Sequence, residues 1–330
     1  MNFRTVFFYI AASLSIFFSA CSQNGIFPHS DENRITIMTY NTQTFFDAIE
    51  DGSEFAEFTG PKTKWSLPVY ESRLNRLCEA ILLCGQLSGM GSDRGPDIVV
   101  LQEIENDRVL HDVCNRLPRR GAYEWAAFVP GEKGNAFGSA LLSRYPIESL
   151  TVHSLSSEET ALRPLLQMQL KIGNESLALF AVHWKSKTGD NEGFSLRLEQ
   201  EALLASRIET FNQTTPGIPF IVCGDFNQTR AEFTLLETVP NCWDEWLPRC
   251  LSGACAGPAG SYYYNGEWET IDNIFYSPSL SDGTDLDFSS FQVAAQPPLI
   301  DQEGIPARFD LFSGKGYSDH LPLILELKRK

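Results

Sequence analysis

The sequence predicts a layered fold of mixed strands and helices, of the α/β or α+β class, and three observations lead to that prediction. Short apolar runs alternate along the chain with stretches whose apolar residues recur at helical spacing. The 330 residues are 43% hydrophobic and 12% aromatic, a composition that can bury a large core. No internal repeat and no Pro-, Ser- or Gly-rich linker divides the chain, so one domain is expected over residues 33–330.

The individual elements follow from the same patterns. Apolar runs of strand length occur at Ile35–Tyr40, Ile98–Leu101, Ala140–Leu142, Leu177–Val182, Phe220–Cys223, Ile271–Tyr276 and Leu323–Leu327. Helical spacing of apolar residues predicts helices at Leu74–Leu82, Val109–Leu117 and Ser195–Phe211. Two polar segments, Asp51–Pro68 and Ser279–Lys315, match neither pattern and are longer than ordinary connections. We expect them to be loops, which either shape a substrate site or decorate the fold passively.

The amino terminus predicts export. Residues 1–20 carry one charge, Arg4, followed by the apolar run Val6–Phe18, which is too short for a convincing membrane span. The small residues before Cys21 resemble a bacterial lipoprotein cleavage box, although Phe18 stands where such boxes usually carry Leu. We expect residues 1–20 to be removed, Cys21 to be lipidated and residues 21–32 to form a tether. The mature protein would then be anchored at the outer membrane or the periplasmic face. An ordinary cleaved signal with an incidental cysteine is the alternative.

Net charge and cysteine content limit the possible partners and chemistry. The formal net charge of −16 repels polyanions at long range, so any nucleic-acid contact must be local, through a small basic cleft and a metal ion. Three cysteines crowd one polar segment, Cys242, Cys250 and Cys255, where a disulfide is expected in an oxidising compartment. A zinc site is the weaker alternative, because no histidine lies near them. The other cysteines of the domain are expected to be core thiols.

Polar side chains follow one predicted strand after another. If these strand ends share one rim of the sheets, the side chains converge into a site with the composition that phosphoester hydrolysis needs. The residues concerned are Asn41, Glu103, His183, Asp225, Asn227, Asp272, Asp319 and His320.

Each residue type has a reason in that chemistry. A phosphodiester is anionic and repels nucleophiles, so a hard divalent cation must neutralise it, and Glu103 and Asn41 offer oxygen ligands for one. A water molecule must be oriented and deprotonated. Asp225 and Asn227, two residues apart on one side of an extended segment, can do this.

The two histidines supply donors for the transition state. Negative charge develops on the non-bridging phosphate oxygens, and protonated His183 and His320 can donate hydrogen bonds to them. Asp272 would fix the tautomer of His320 and raise its pKa.

Six short motifs then carry a family resemblance. They are Thr39-Tyr40-Asn41, Leu101-Gln102-Glu103-Ile104-Glu105-Asn106, Ala181-Val182-His183-Trp184, Gly224-Asp225-Phe226-Asn227, Ile271-Asp272-Asn273-Ile274 and Tyr317-Ser318-Asp319-His320-Leu321-Pro322. In type and order they resemble the successive motifs of the endonuclease/exonuclease/phosphatase superfamily, which has the deoxyribonuclease-I-like fold. Further segments, including His183-Trp184-Lys185-Ser186-Lys187 and Gly266-Glu267-Trp268, are similar to an exported bacterial branch of that superfamily.

The resemblance implies a fold, a cofactor and an activity. The fold is a four-layer α/β sandwich of two mixed β-sheets face to face, flanked by helices. The cofactor is Mg²⁺, with Mn²⁺ or Ca²⁺ as possible substitutes, held by Glu103 and Asn41 with Asp319 nearby. The roles argued above for Asp225, Asn227, the two histidines and Asp272 match the family's roles at these positions. The chain is therefore expected to be an enzyme, a metal-dependent phosphoric ester hydrolase.

Four basic residues are candidates for binding the substrate. Lys185 and Lys187 leave the His183 strand end on one side of an extended chain, and together with Arg163 and Arg144 they could form the local basic cleft. The two lysines could equally be a solvated strand exit.

Three functions remain open from the sequence. The first is an exported nuclease or phosphodiesterase that hydrolyses nucleic acid or nucleotides as a monomer. The second is a phosphatase or phospholipase-type esterase acting on inositol phosphates or sphingomyelin-like head groups. The long loops contain no apolar hairpin that would insert into a membrane, which favours a soluble substrate. The third is a surface binding lipoprotein on the same scaffold, which would have no need for the complete set of metal and water residues.

Overall fold

The computed structural model describes the backbone of residues 17–20 and then residues 33–119, 122–132, 134–155, 162–187, 191–253, 257–283 and 285–329. Cys21 and the expected tether lie outside the described residues, so lipidation and export stay predictions. Among the helices of the described part, none is both long and apolar enough to cross a membrane.

The larger of two mixed sheets has seven strands. In chain order these are β1 (Phe17–Ala20), β2 (Arg34–Phe45), β3 (Ile98–Ile104), β4 (Trp125–Val129), β5 (Gly138–Ser143), β13 (Leu286–Val293) and β14 (Leu323–Arg329). Their spatial order is β1-β4-β5-β3-β2-β14-β13, with β2 and β3 parallel and the other pairs antiparallel.

The smaller sheet has five strands. These are β6 (Ile147–His153), β7 (Leu165–Ile172), β8 (Glu175–His183), β9 (Phe220–Asp225) and β12 (Asp272–Tyr276). Their spatial order is β12-β9-β8-β7-β6, with β8 and β9 parallel. A separate hairpin of β10 (Tyr262–Tyr264) and β11 (Glu267–Glu269) precedes β12.

The helices cover the outer faces of the two sheets. They are α1 (Leu67–Leu87), α2 (Asp107–Arg116), α3 (Asn191–Thr214) and α4 (Trp243–Leu251). Helix α2 begins at the N-cap Asn106, whose side chain accepts a hydrogen bond from the Val109 N–H. Apolar residues of α1 and α2 pack onto the larger sheet, and those of α3 pack onto the smaller one. The order helix, sheet, sheet, helix confirms the expected four-layer sandwich.

Strand β8 shows why the sequence folds this way. Alternate side chains of a strand point to opposite faces, and both faces of β8 are buried. Leu179 belongs to the core between the two sheets, while Phe180 and Val182 pack with Leu204 and Phe211 of α3. A strand buried on both sides needs an uninterrupted apolar run, and that run is what made β8 predictable.

Some elements were missed or misassigned. The seven predicted strands correspond to β2, β3, β5, β8, β9, β12 and β14, and the three predicted helices to α1, α2 and α3. The expectation that all of Ser279–Lys315 is loop is wrong, because Leu286–Val293 forms β13 and pairs with β14. Polar and partly exposed residues alternate with buried ones along this edge strand, which disguised it as loop. Helix α4 was also missed, inside the segment taken as polar loop.

The cysteines agree only in part with expectation. Cys78, Cys84 and Cys223 are buried thiols, as predicted, and burial raises the pKa of both Cys78 and Cys223 to about 12. Cys242 is also a buried free thiol, so its assignment to the disulfide cluster is wrong. Cys250 is disulfide-bonded, and Cys255 lies outside the described residues.

Strand β1 belongs to the segment predicted to be an export signal. Phe17–Ala20 pairs antiparallel with β4 at the edge of the larger sheet. A chain cleaved before Cys21 would lack this strand, and β4 would then form the edge.

Candidate active site

The sheet topology brings the predicted site residues to one rim. Parallel strands end on the same side, so the carboxyl ends of β2 and β3 meet, and so do those of β8 and β9. His183 and Asp225 are register partners at the ends of β8 and β9, and Asp225 also pairs with Asp272 at the start of β12. Strand β9 packs against β2 and β3 across the sandwich, which brings the two rims together.

An open cleft of about 770 Å³ lies at this rim. Six of the eight residues predicted to carry the chemistry line it: Glu103, His183, Asp225, Asn227, Asp319 and His320. The other two, Asn41 and Asp272, are buried and contact members of that set. The structure therefore brings all eight residues together.

Asn41 connects the two carboxylates on either side of it. Its Nδ2 donates to Glu103 Oε1 at 3.1 Å and to Asp225 Oδ2 at 2.9 Å. Its Oδ1 accepts the backbone N–H of Gln43 at 2.9 Å. Glu103 itself has a left-handed backbone, with φ of 62°, which is uncommon for a residue other than glycine.

A strained turn after Asn41 holds Glu103 from the other side. Gln43 and Thr44 both have positive φ, at 56° and 46°, and the Thr44 N–H donates to Glu103 Oε2. Arg73 of α1 stabilises the turn by donating to the carbonyl oxygens of Thr42, Gln43 and Thr44.

Arg73 is almost fully buried, with 1% of its surface exposed, and burial lowers its pKa to about 9. The guanidinium stacks over the ring of Phe309 at 3.9 Å and that of Phe45 at 4.7 Å. Sequence reasoning missed this residue, because an arginine in a helical pattern is ordinarily on the surface.

Gln43 ties the same turn to the last motif. Its Oε1 accepts the backbone N–H groups of Phe309 at 3.0 Å and Asp319 at 3.1 Å, and its Nε2 donates to the Phe309 carbonyl at 3.1 Å. The Ser318 hydroxyl donates to the Asn41 carbonyl at 2.7 Å. Asn41 and Asp319 are thereby positioned by one hydrogen-bond network.

His320 forms a buried pair with Asp272. Its Nδ1 lies 2.8 Å from Asp272 Oδ2, which also accepts the Ser261 hydroxyl at 2.6 Å. Burial alone would lower the pKa of His320, but the charges of Asp272, Asp225 and Asp319 outweigh it and raise the pKa to about 10. His320 is therefore protonated at neutral pH, as the sequence predicted for a histidine beside a carboxylate.

Asp225 lies in the same buried group. Burial and the nearby charge of Asp272 raise the pKa of Asp225 to about 7. Its Oδ1 accepts the Asn227 N–H at 2.8 Å. A carboxyl group whose pKa is close to neutrality can exchange a proton with a water molecule at working pH.

His183 differs from expectation in its charge. Burial, together with the charges of Arg163 and His320, lowers the pKa of His183 well below 6.5, so the ring is neutral. The expectation that it acts as a protonated donor is therefore wrong. Its Nε2 lies 3.6 Å from Glu103 Oε1 and 3.7 Å from Asp225 Oδ2, so it faces both carboxylates.

The residues predicted to hold a divalent cation have the right chemistry for it. Burial raises the pKa of Asp319, and the negative charge of Glu103 contributes to the increase, so the two carboxylates repel each other. The charged Arg308 Nε lies 3.9 Å from Asp319 Oδ2, beyond hydrogen-bond distance. A hard cation between carboxylate and amide oxygens would relieve this repulsion. Glu103 and Asp319, with Asn41 beside them, therefore form a suitable donor set.

The four candidate substrate-binding residues do not all reach the cleft. Arg163 lines it, with Nη1 3.3 Å from the Trp184 carbonyl. Lys187 also lines it, but its Nζ lies 2.8 Å from Glu269 and 3.2 Å from Glu232, so its charge is compensated. The described lining of the cleft does not include Lys185.

The placement of Arg144 in the cleft is wrong. It follows β5, which runs antiparallel to β3, so it lies at the opposite rim. There it donates to the carbonyls of Gly95 and Pro96 and stacks on Tyr123 at 4.6 Å. Its apparent availability came from its position after a strand, and the direction of that strand could not be read from sequence.

Sequence reasoning also missed several cleft residues. Arg308, Tyr262, Tyr264 and Phe312 line the cleft, and all lie outside the six motifs. The polar segment 51–68 does contribute Phe55, Glu57 and Phe58 to the lining, in line with one of the two expectations for it.

Comparisons with known proteins agree with this geometry. The model of the Endonuclease/Exonuclease/phosphatase family matches residues 36–329. Human 2',5'-phosphodiesterase 12 is 29% identical over 168 residues, which cover 45% of this chain and 25% of that protein. The chain thus matches about a quarter of the length of this curated relative.

Solved structures share the fold at low sequence identity. TDP2 from C. elegans superposes with a TM-score of 0.57 at 16% identity, covering 89% of this chain and 75% of that one. An endonuclease/exonuclease/phosphatase from Bacteroides vulgatus superposes with a TM-score of 0.56 at 15% identity, covering 90% and 99%. With the family match over nearly the whole domain, the chain belongs to the endonuclease/exonuclease/phosphatase family, whose enzymes are divalent-metal-dependent hydrolases of phosphoric esters.

Proposed function

We propose that the chain is an Mg²⁺-dependent phosphodiesterase that hydrolyses nucleic acid or nucleotides. The observation that carries the proposal is the convergence of a potential base, a protonated donor and a metal donor set in one cleft. Asp225 and His320 supply the first two, and Glu103 and Asp319 with Asn41 supply the third.

The chain's own residues can perform the proton transfer and bind the phosphate. Asp225, with its pKa near 7, accepts a proton from the attacking water. Asn227 lines the cleft beside it, held by a 3.2 Å bond from Nδ2 to the Trp184 carbonyl. Protonated His320 donates to the phosphate oxygens as they gain charge, and Asp272 holds its ring in place. Bound Mg²⁺ would supply Lewis-acid neutralisation of the phosphate.

Two features favour a nucleotide substrate. The curated relatives that the chain matches are 2',5'-phosphodiesterases by name. The cleft also presents aromatic side chains beside the catalytic residues. Lipid head-group esters are the second candidate, because Phe312 at the cleft is 86% exposed and could contact a lipid surface.

The experiment compares substrates directly. The purified chain is assayed with Mg²⁺ and with chelator on single-stranded DNA, RNA, a 2',5'-linked dinucleotide, inositol phosphates and sphingomyelin. Chelator-sensitive cleavage of the nucleotide substrates is expected. Cleavage of the head-group esters alone would favour the second candidate, and inactivity on every substrate would return the surface binding protein to consideration.

We also propose that the protein is exported and anchored through a lipid on Cys21, which rests on the amino-terminal sequence pattern. Full-length protein expressed in a bacterial host should fractionate with membranes, whereas Cys21→Ser should be released as soluble protein. Membrane association that survives this substitution would contradict the lipid anchor.

A further inference from the structure

Three aromatic side chains at the cleft have no part in the chemistry described above. Tyr262, Tyr264 and Phe312, called here the aromatic rim, line the same cleft as Asp225 and His320. Tyr264 is 55% exposed and Phe312 is 86% exposed. Large aromatic groups kept exposed beside a catalytic cleft lose the hydrophobic gain of burial, so a ligand that covers them is expected to bind there.

The two tyrosines lead outward from the catalytic histidine. Alternate residues of a strand share one face, so Tyr262 and Tyr264 of β10 lie side by side, with ring centroids 6.2 Å apart and ring planes at 17°. The Tyr262 ring lies 4.7 Å from the His320 ring. A ligand whose phosphate contacts His320 can therefore place an attached planar group against the tyrosines.

The hairpin is fixed to the catalytic segment. Tyr262 forms a backbone bridge with His320, and the Leu321 N–H donates to the Ser261 carbonyl at 2.7 Å. Ser261 also donates to Asp272, the partner of His320. The rim is thus preorganised relative to the site of phosphate binding, which reduces the entropy lost when a ligand binds.

The charge of the cleft limits how many phosphates it can accept. Glu57, Glu269 and Asp310 line it in addition to the catalytic carboxylates, and Lys187 is compensated by its two glutamate partners. A ligand with one phosphodiester and a neutral aromatic group suits such a surface better than a duplex, whose two phosphate backbones need many cationic contacts.

We propose that the aromatic rim stacks the base of the nucleotide next to the scissile phosphate. The substrate class is then a dinucleotide or a single-stranded end and not a duplex. This inference rests on the proposed phosphodiesterase function. Stacking of a base on an aromatic side chain contributes about 1–3 kcal/mol and tolerates any base, because each base offers a π-face.

The test varies the base and the rim together. Full-length protein with Mg²⁺ is assayed on a thymidine dinucleotide and on the same diester with one base removed. The Tyr264→Ala/Phe312→Ala double variant should raise KM for the dinucleotide by about tenfold at unchanged kcat, as expected from the loss of one stacking contact. It should leave KM for the base-free diester unchanged. Leu235→Ala, which alters an exposed apolar residue outside the cleft lining, is the matched control.

The outcomes separate the inference from the proposed function. Tyr264→Phe should retain the wild-type KM, since it keeps the ring. Wild-type protein that cleaves both diesters with equal KM, and a double variant that behaves like it, would overturn the stacking site while the phosphodiesterase stands. No cleavage of either diester by wild-type protein would overturn the proposed function. An unchanged nucleotide KM with lost binding to sphingomyelin vesicles would reassign the rim to a lipid surface.

Discussion

Asp272 and His320 face each other at 2.8 Å in the interior of the site, and this contact determines the charge of the histidine. The pKa of His320 is raised to about 10 because the surrounding carboxylates outweigh the effect of burial. The cationic ring is therefore present at every pH at which Asp225, with its pKa near 7, has become ionised below that limit. The two residues can act as base and donor in the same neutral pH range.

This pair predicts a particular pH dependence of stability. A histidine whose folded-state pKa is raised stabilises the fold fully below its unfolded pKa of about 6.5 and loses that contribution as pH rises toward 10. In chelator, the free energy of unfolding should fall more steeply between pH 7 and pH 10 for wild type than for Asp272→Asn. Thermal unfolding at a series of pH values measures this, and parallel curves would contradict the assigned pair.

The site residues were largely predictable because each motif ends a buried strand or borders one. Asn41, Glu103, Asp225 and His320 announced themselves as polar residues where apolar runs stop. The neutral charge of His183 was not predictable, because it depends on burial and on Arg163, which is distant in sequence. The position of Arg144 depended on strand direction, which periodicity does not reveal.

At the scale of elements, the turn after β2 is the feature that holds the metal donors. Residues Gln43 and Thr44 adopt positive φ, and Arg73 of α1 satisfies three successive carbonyl groups there. The arginine also stacks on Phe309, so it fixes the turn against the segment that leads to Asp319.

Arg73→Lys should therefore weaken both the fold and metal binding. A lysine cannot reproduce the planar guanidinium fork, so carbonyl groups are left unpaired at a cost of about 1–3 kcal/mol. Disturbed positioning of the donor set should lower Mg²⁺ affinity by about 10–100-fold. Urea unfolding and Mg²⁺ titration calorimetry measure the two effects, with the more exposed Arg116→Lys as control. An unchanged Mg²⁺ affinity would show that the turn does not position the donors.

Strand β9 contains a second local requirement. Gly224 precedes Asp225 with φ of 143°, and a Cβ there would lie 2.0 Å from the Val182 carbonyl oxygen. Gly224→Ala should lower the free energy of unfolding by about 3 kcal/mol or more, because strain and a backbone clash combine. Gly217→Ala has positive φ but open space around it, and should cost only about 1–2 kcal/mol. Equal losses in denaturant unfolding would contradict the close approach of β8 and β9.

The elements differed in how well the sequence revealed them. Strands buried on both faces, such as β8 and β9, are uninterrupted apolar runs and were found. Strands with one exposed face, such as β6 and β13, alternate polar and apolar residues over a short length and resemble loop. The four-layer arrangement came from the ordered motifs and not from periodicity, because the pairing of distant strands leaves no local signal.

At the scale of the whole molecule, charge sets the limits of recognition. The chain carries a formal net charge of −16, and the described cleft combines few uncompensated cations with several acidic residues. Binding should therefore depend on one or two phosphate contacts, the metal ion and stacking, with little attraction at long range.

Salt dependence of binding tests this view. Each phosphate contact to a single strand contributes a slope of about −0.7 in log affinity against log salt concentration, so a slope no steeper than about −2 is expected. Affinity for a single-stranded oligonucleotide, measured by fluorescence anisotropy with the inactive Asp225→Asn variant, gives the slope. A slope of about −6 or steeper would indicate an extended phosphate track and contradict the short substrate.

The most direct measurement is the rate of dinucleotide hydrolysis by wild type and Asp225→Asn, each with Mg²⁺ and with chelator. Asp107→Asn, on the first turn of α2 and outside the cleft lining, is the matched control. The account predicts Mg²⁺-dependent cleavage by wild type and control, abolished by chelator, and a rate about 10²–10⁴-fold lower in Asp225→Asn with unchanged Mg²⁺ affinity. Cleavage by Asp225→Asn at the wild-type rate, or wild-type cleavage that persists in chelator, would contradict the proposed active site.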